Sequence, residues 1–151
     1  MLRPALSFRE TLRGSYWRLD APTEEHAIDL VLEARSPSLR ELRRDRTFTL
    51  RGTIDAEGLA RHAAAEGTLV WRLLDERRLP YRVRFRGDDG RAYELSGQKE
   101  WVPFAPLESV TTLPASIYDD AAREMARATL RFDVRTEGIR LLRSFRLHLA
   151  I

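Results

Sequence analysis

Cysteine is absent from all 151 residues. This removes disulfide frameworks, thiolate nucleophiles and zinc–thiolate sites together, and leaves the redox compartment unread. Lysine is nearly absent as well: of 26 basic residues, only Lys99 is lysine and the rest are arginine, a bias of the kind a GC-rich genome produces. No apolar run approaches the roughly 18 residues that a membrane-spanning helix needs. No apolar signal core follows Met1-Leu2-Arg3-Pro4, so a cytoplasmic protein without a membrane span is expected. Gly/Ser linkers and low-complexity tracts are missing, and the sole internal echo is Arg51-Gly52-Thr53-Ile54 in Glu66-Gly67-Thr68-Leu69. One domain over residues 1–151 is therefore expected.

Several chemistries are missing too. There is no Gly-x-Ser-x-Gly elbow and no Gly-rich loop before a helix to cradle phosphate. His26, His62 and His148 are scattered, without a second ligand at metal spacing in the same element, so no metal and no cofactor are expected. A net charge of +3 is too small to point to nucleic acid.

What is present is alternation. Tyr81, Val83 and Phe85 share one face of a run whose other face is Arg82, Arg84 and Arg86, as in a strand with one buried side. Gly87-Asp88-Asp89-Gly90 is turn chemistry, and Ala92 to Gly97 resumes the alternation, making residues 80–101 a β-hairpin. Its two aspartates also admit a cation-binding reading, which the turn explains more simply. Further strands are expected at 8–19, 27–34, 47–54, 68–73, 110–113, 130–134 and 147–151. Ser36 to Arg43, with a serine cap and an early proline, reads as a short helix, and Glu137 to Phe145 as a second. Asp120 to Arg127 reads as a loop or a single helical turn.

The fold class that follows is mainly β: a single antiparallel, lipocalin-like β-barrel of about eight or nine strands with one or two short helices. Gly14, Gly52, Gly67 and Gly97 fall on the inner faces of their strands. Inward glycines permit the close backbone approach of barrel corners, and they also leave interior volume.

Glu10 stands out because alternation places it beside Phe8 and Leu12 on the inner face, where a lone carboxylate is costly. Two readings stay open: a structural ion pair or a strand end open to water, and a polar anchor or acid/base group in a cavity. Lys99 aligns with Leu95 and Gly97 on an inner face and is the natural partner for Glu10. With Trp71, Tyr81 and Tyr93 these two make the expected ligand-contacting set. Trp17 is a candidate exposed contact, and the arginine ladders read as solvated sheet faces.

Phe8-Arg9-Glu10-Thr11-Leu12-Arg13-Gly14 resembles the F-x-E-x-(M/L)-x-G opening of β domains attached to bacterial glucose-methanol-choline oxidoreductases of the cholesterol-oxidase-like type. Gly67-Thr68, Tyr81 to Phe85, Asp89 to Lys99, Thr111-Thr112-Leu113 and Leu130 to Arg146 resemble later segments of the same domains, in order. The resemblance implies a non-catalytic accessory module that handles a lipid or another apolar small molecule beside an oxidoreductase partner. The chain has no dinucleotide-binding glycine fingerprint, so no oxidoreductase activity comes with it. Two other readings stay open, a small cofactor-free isomerase or cyclase using Glu10 as acid/base and a protein-interaction module working through its arginine faces.

Overall fold

The computed structural model describes residues 3–36, 39–72, 78–100, 112–132 and 146–150. Its elements are β1 (Arg3–Arg18), β2 (Ala21–Arg35), α1 (Leu39–Asp45), β3 (Thr47–Ala56), β4 (Ala60–Val70), β5 (Arg78–Arg86), β6 (Ala92–Glu100), β7 (Thr112–Tyr118), β8 (Glu124–Arg131) and β9 (Arg146–Ala150). β1 to β8 pair in sequence, all antiparallel, and β1 pairs both β2 and β8, which closes an eight-stranded barrel. Closure removes the exposed edges that an open sheet of this length would carry. β9 is an addition, pairing Arg146 to Ala150 with the first residues of β1, Arg3 to Ser7.

The expected hairpin between β5 and β6 is present, with Tyr81 facing Gly97 and Phe85 facing Tyr93. Two elements differ from the sequence reading. Glu124–Arg131 is strand β8, where residues 120–127 read as loop or helix. Its hairpin turn places Ala122 at φ 58°, while the Asp119 carboxylate accepts the backbone N–H groups of Ala121 and Arg123, both at 2.9 Å. Alanine seldom adopts that left-handed conformation, so the turn carries no glycine signal. β4 begins at Ala60, eight residues before the expected start, because Ala63, Ala64 and Ala65 have little β propensity and are held as strand by pairing with β3. The expected helix at 36–43 is found as Leu39–Asp45. The second expected helix and the strand residues expected at 110–111, 132–134 and 151 lie outside the described strands and helix.

The four inward glycines sit in register with buried neighbours: Gly14 with Ile28 and Leu130, Gly52 with Leu32 and Ala65. A Cβ on Gly14 would lie 1.8 Å from the Thr129 carbonyl oxygen, and one on Gly52 would lie 1.7 Å from that of Val31. These residues therefore serve the tight coiling of the wall. The volume they were expected to leave is taken by the neighbouring strand, which corrects the second part of that expectation.

The lumen is filled by one apolar core. Leu12, Ile28, Leu30, Val83, Leu95, Leu113, Ile117 and Leu130 are each 0% exposed. The short turns of β1–β2, β3–β4, β5–β6 and β7–β8 gather at one end, where the Tyr16 hydroxyl donates to the Glu57 carbonyl oxygen and the Tyr16 ring stacks on His26 at 5.1 Å. Outside, the register lines up Arg9, Glu33, Arg51, Glu66, Arg84 and Glu94 across six strands. This row alternates in sign at every step. It explains the arginine ladders as a charge-compensated outer belt, where opposite-charge neighbours stabilise the pairing.

Candidate functional site

Among the described residues, Glu10, Lys99 and Tyr81 bring polar groups together inside the apolar lumen, in its half away from the short turns. Glu10 on β1 and Lys99 on β6 are buried, and Lys99 Nζ donates to Glu10 Oε1 at 2.7 Å. Tyr81 on β5 donates its hydroxyl to the same Oε1 at 2.9 Å. In a ring of eight strands β5 stands four places from β1, so Tyr81 and Glu10 meet across the full width of the barrel. The Lys99 ammonium also lies 5.1 Å from the centre of the Tyr81 ring and 5.8 Å from that of Phe132, within cation–π range.

Alternation explains how β1 and β6 turn these groups inward, and strand length explains why they meet where they do. The β1–β8 ladder ends at Arg13–Arg131 and the β1–β9 ladder begins at Ser7–Arg146. Residues 8–12 of β1 pair with β2, from Phe8–Ala34 to Leu12–Leu30. On β6 the described ladder to β7 runs from Glu94–Tyr118 to Gly97–Ala115, and Gln98 to Glu100 continue the ladder to β5. The next β7 residue, Pro114, has no N–H to continue the ladder to β6.

The lumen around Leu12 and Leu95 is sealed, whereas Glu10 keeps 8% exposure and Phe132 9%. Both hydrogen bonds to Glu10 fall on Oε1, and among the described residues no buried side-chain oxygen lacks a partner. Burial, reinforced by the facing Glu10 carboxylate, pushes the Tyr81 phenol well above its ordinary range, so it is a neutral donor at physiological pH.

The remaining expected contacts divide. Half-buried Trp71 packs on Phe48 with ring centres 6.2 Å apart, and Phe48 packs on Phe8 at 5.3 Å, which brings an aromatic chain to the residue two before Glu10. Tyr93 belongs elsewhere. It stacks on Phe85 at 5.7 Å at the short-turn end, and its hydroxyl donates to Asp89 at 2.6 Å. Asp88 accepts from Arg61 N and Asp89 from Arg91 N, so both carboxylates are engaged in holding the turn. Phe8 and Phe132 border the site and were not singled out from sequence. Phe8 shares Glu10's face by alternation, whereas the position of Phe132 depends on β8. Trp17 is half-buried, against its reading as an exposed contact.

Of the histidines whose side chains are described, His26 lies 3.7 Å from Glu57 and His62 lies 3.6 Å from Asp55. Among the described residues no group of three or more His, Asp or Glu converges as a metal site would, and no helix is long and apolar enough to cross a membrane. A solvent-facing groove of about 720 Å³ lies on the outer belt, lined by Arg51, Ala64, Glu66, Arg84 and Arg86. Gly52, Ala65 and Phe85 also line it, and Glu10, Tyr81 and Lys99 do not. Comparison with protein-family models, curated proteins and solved structures yields no match to this chain.

Proposed function

We propose that this chain is a non-catalytic binding barrel that takes an apolar small molecule at the end away from the short turns, with Glu10, Tyr81 and Lys99 anchoring its polar group. The observation that carries the reading is the buried Glu10–Lys99 pair, whose carboxylate oxygen Tyr81 also reaches. A buried ion pair adds little net stability over apolar packing, and an eight-stranded barrel has a width that side chains fill or that takes one small ligand. Trp71, Phe48, Phe8 and Phe132 supply the apolar contacts such a site needs. The resemblance to accessory domains of oxidoreductases agrees with the reading, and a flavoenzyme partner is the further proposal it contributes.

A thermal-shift screen over sterols, fatty acids and fatty alcohols tests it. At a hundredfold excess over Kd a ligand stabilises by about 2.7 kcal/mol, a shift of several degrees for a domain of this size. A panel that leaves Tm unchanged removes the reading. The Tyr81–Glu10 hydrogen bond favours a second reading, a cofactor-free isomerase or cyclase, since it holds a phenol and a carboxylate in proton-transfer contact. Recovering the bound ligand chemically unchanged supports a carrier. A product that disappears in Glu10→Gln supports the enzyme.

A further inference from the structure

The groove on the outer belt lies where β4 and β5 part. Their ladder runs from Leu69–Tyr81 to Ala65–Phe85, and the next backbone bond between them joins Asp88 N–H to the Leu59 carbonyl oxygen at 2.9 Å. Ala60 to Ala64 of one strand thus stand against Arg86 and Gly87 of the other. The excess is taken up in a bulge with His62 at φ 45°, and the groove opens beside it. Gly52, Ala64 and Ala92 leave it room, and three exposed arginines, Arg51, Arg84 and Arg86, border it. Register sets the charge pattern: Glu66 faces Arg51 in the β3–β4 ladder and Arg84 in the β4–β5 ladder. Two guanidinium groups therefore flank one carboxylate, on strands about 10 Å apart. Among the described residues the side chains of Arg51 and Arg84 form no ion pair or hydrogen bond. Glu94, which faces Arg84, is bound instead by Arg82 at 3.0 Å. Arg86 donates from Nη1 to the Gly90 carbonyl oxygen at 2.6 Å.

We propose that this groove binds a small dicarboxylate whose acid groups are held about 10 Å apart by an uncharged chain. One carboxylate takes Arg51, and the other takes Arg84 with Arg86, through the charge-assisted hydrogen bonds that guanidinium groups make with planar acids. Glu66 lies between the two ends. There it repels a short dianion, whose two charges crowd together, and a lone phosphate, which cannot reach both arginines without meeting it. A methylene chain passes the same position without charge and packs on Ala64. The volume of about 720 Å³ is within the range of small-molecule sites. Glu10, Tyr81 and Lys99 are not part of the groove, so this site stands independently of the lumen reading.

The test titrates the intact ¹⁵N-labelled chain at low ionic strength, where exposed charges are least screened, and reads backbone amide shifts. The probes are azelate, whose extended chain spans that separation, and succinate, whose chain does not. The Arg51, Ala64, Glu66 and Arg84 amides are expected to move, with azelate binding at least about fivefold tighter than succinate, a ratio equivalent to about 1 kcal/mol. Arg51→Gln and Arg84→Gln change outward side chains and are expected to stay folded and to lower azelate affinity to that of succinate. Glu66→Gln is expected to strengthen succinate binding more than azelate binding, which narrows the ratio. Equal affinity for the two acids overturns the proposal, as does azelate binding that both arginine variants leave unchanged or a ratio that Glu66→Gln does not alter. Azelate shifts confined to lumen residues such as Lys99, or amides that respond to neither acid, overturn it as well.

Discussion

The Tyr81 hydroxyl reaches across the lumen from β5 to the Glu10 carboxylate on the opposite strand β1, at 2.9 Å, and shares its acceptor oxygen with Lys99. This contact ties together two walls that share no ladder. It places two hydrogen bonds on one oxygen of Glu10. A conservative Tyr81→Phe change removes one bond to a charged acceptor and is expected to cost about 1.5–3 kcal/mol, read by urea denaturation. A loss below about 0.5 kcal/mol would mean that the two walls are held by apolar packing alone.

The ion pair makes a sharper claim. Removing one partner, as in Glu10→Gln or Lys99→Met, leaves a buried charge and is expected to cost about 3–5 kcal/mol. Replacing both by apolar residues is expected to be neutral or to stabilise by up to about 4 kcal/mol while abolishing ligand binding. A double variant that is as unstable as the singles would assign the pair a structural role and weaken the binding proposal.

Alkaline pH addresses the phenol. Burial and the Glu10 carboxylate raise the folded-state pKa of Tyr81 above its unfolded value, which is about 10. The stability contributed by the protonated phenol is therefore complete below about pH 10 and is lost as pH rises further. Burial raises Tyr16 and Tyr93 in the same sense. Tm measured from about pH 8 to 12 should fall above 10, and the fall should be shallower in Tyr81→Phe. Identical slopes would contradict this assignment.

Much of the site was legible because alternation is a local property. Phe8, Glu10 and Leu12 share a face whatever the rest of the chain does, and the same holds for Leu95, Gly97 and Lys99. Which inward residues meet is not local. It depends on register and strand length, and these place Tyr81 against Glu10 while sending Tyr93 to the other end. Strand β8 escaped the sequence because its turn puts Ala122, not glycine, in the left-handed region.

The glycines separate crowding from conformation. Gly52→Ala forces a Cβ against the Val31 carbonyl oxygen, which has no rotamer to yield, and is expected to cost about 3 kcal/mol or more. Gly90 has φ 80° and open space around its Cα, so Gly90→Ala is expected to cost about 1 kcal/mol through backbone strain. Equal losses in urea denaturation would refute the close-approach account of the inner glycines.

The outer belt predicts a salt-dependent effect. Glu66→Arg places three like charges in a row with Arg51 and Arg84 and is expected to destabilise by on the order of 1 kcal/mol at low ionic strength. The loss should shrink at about 1 M salt. A loss independent of salt would deny the belt an electrostatic role.

Because Lys99 is the single lysine, protein labelled with ¹³C at lysine Cε gives one side-chain resonance from inside the proposed site. Titrating it with the apolar ligand that most raises Tm is the most direct test of ligand binding at Glu10, Tyr81 and Lys99. The resonance is expected to move and to saturate with the same Kd as the thermal shift. A Tm that rises while the Lys99 signal stays fixed would place the ligand elsewhere and contradict the account.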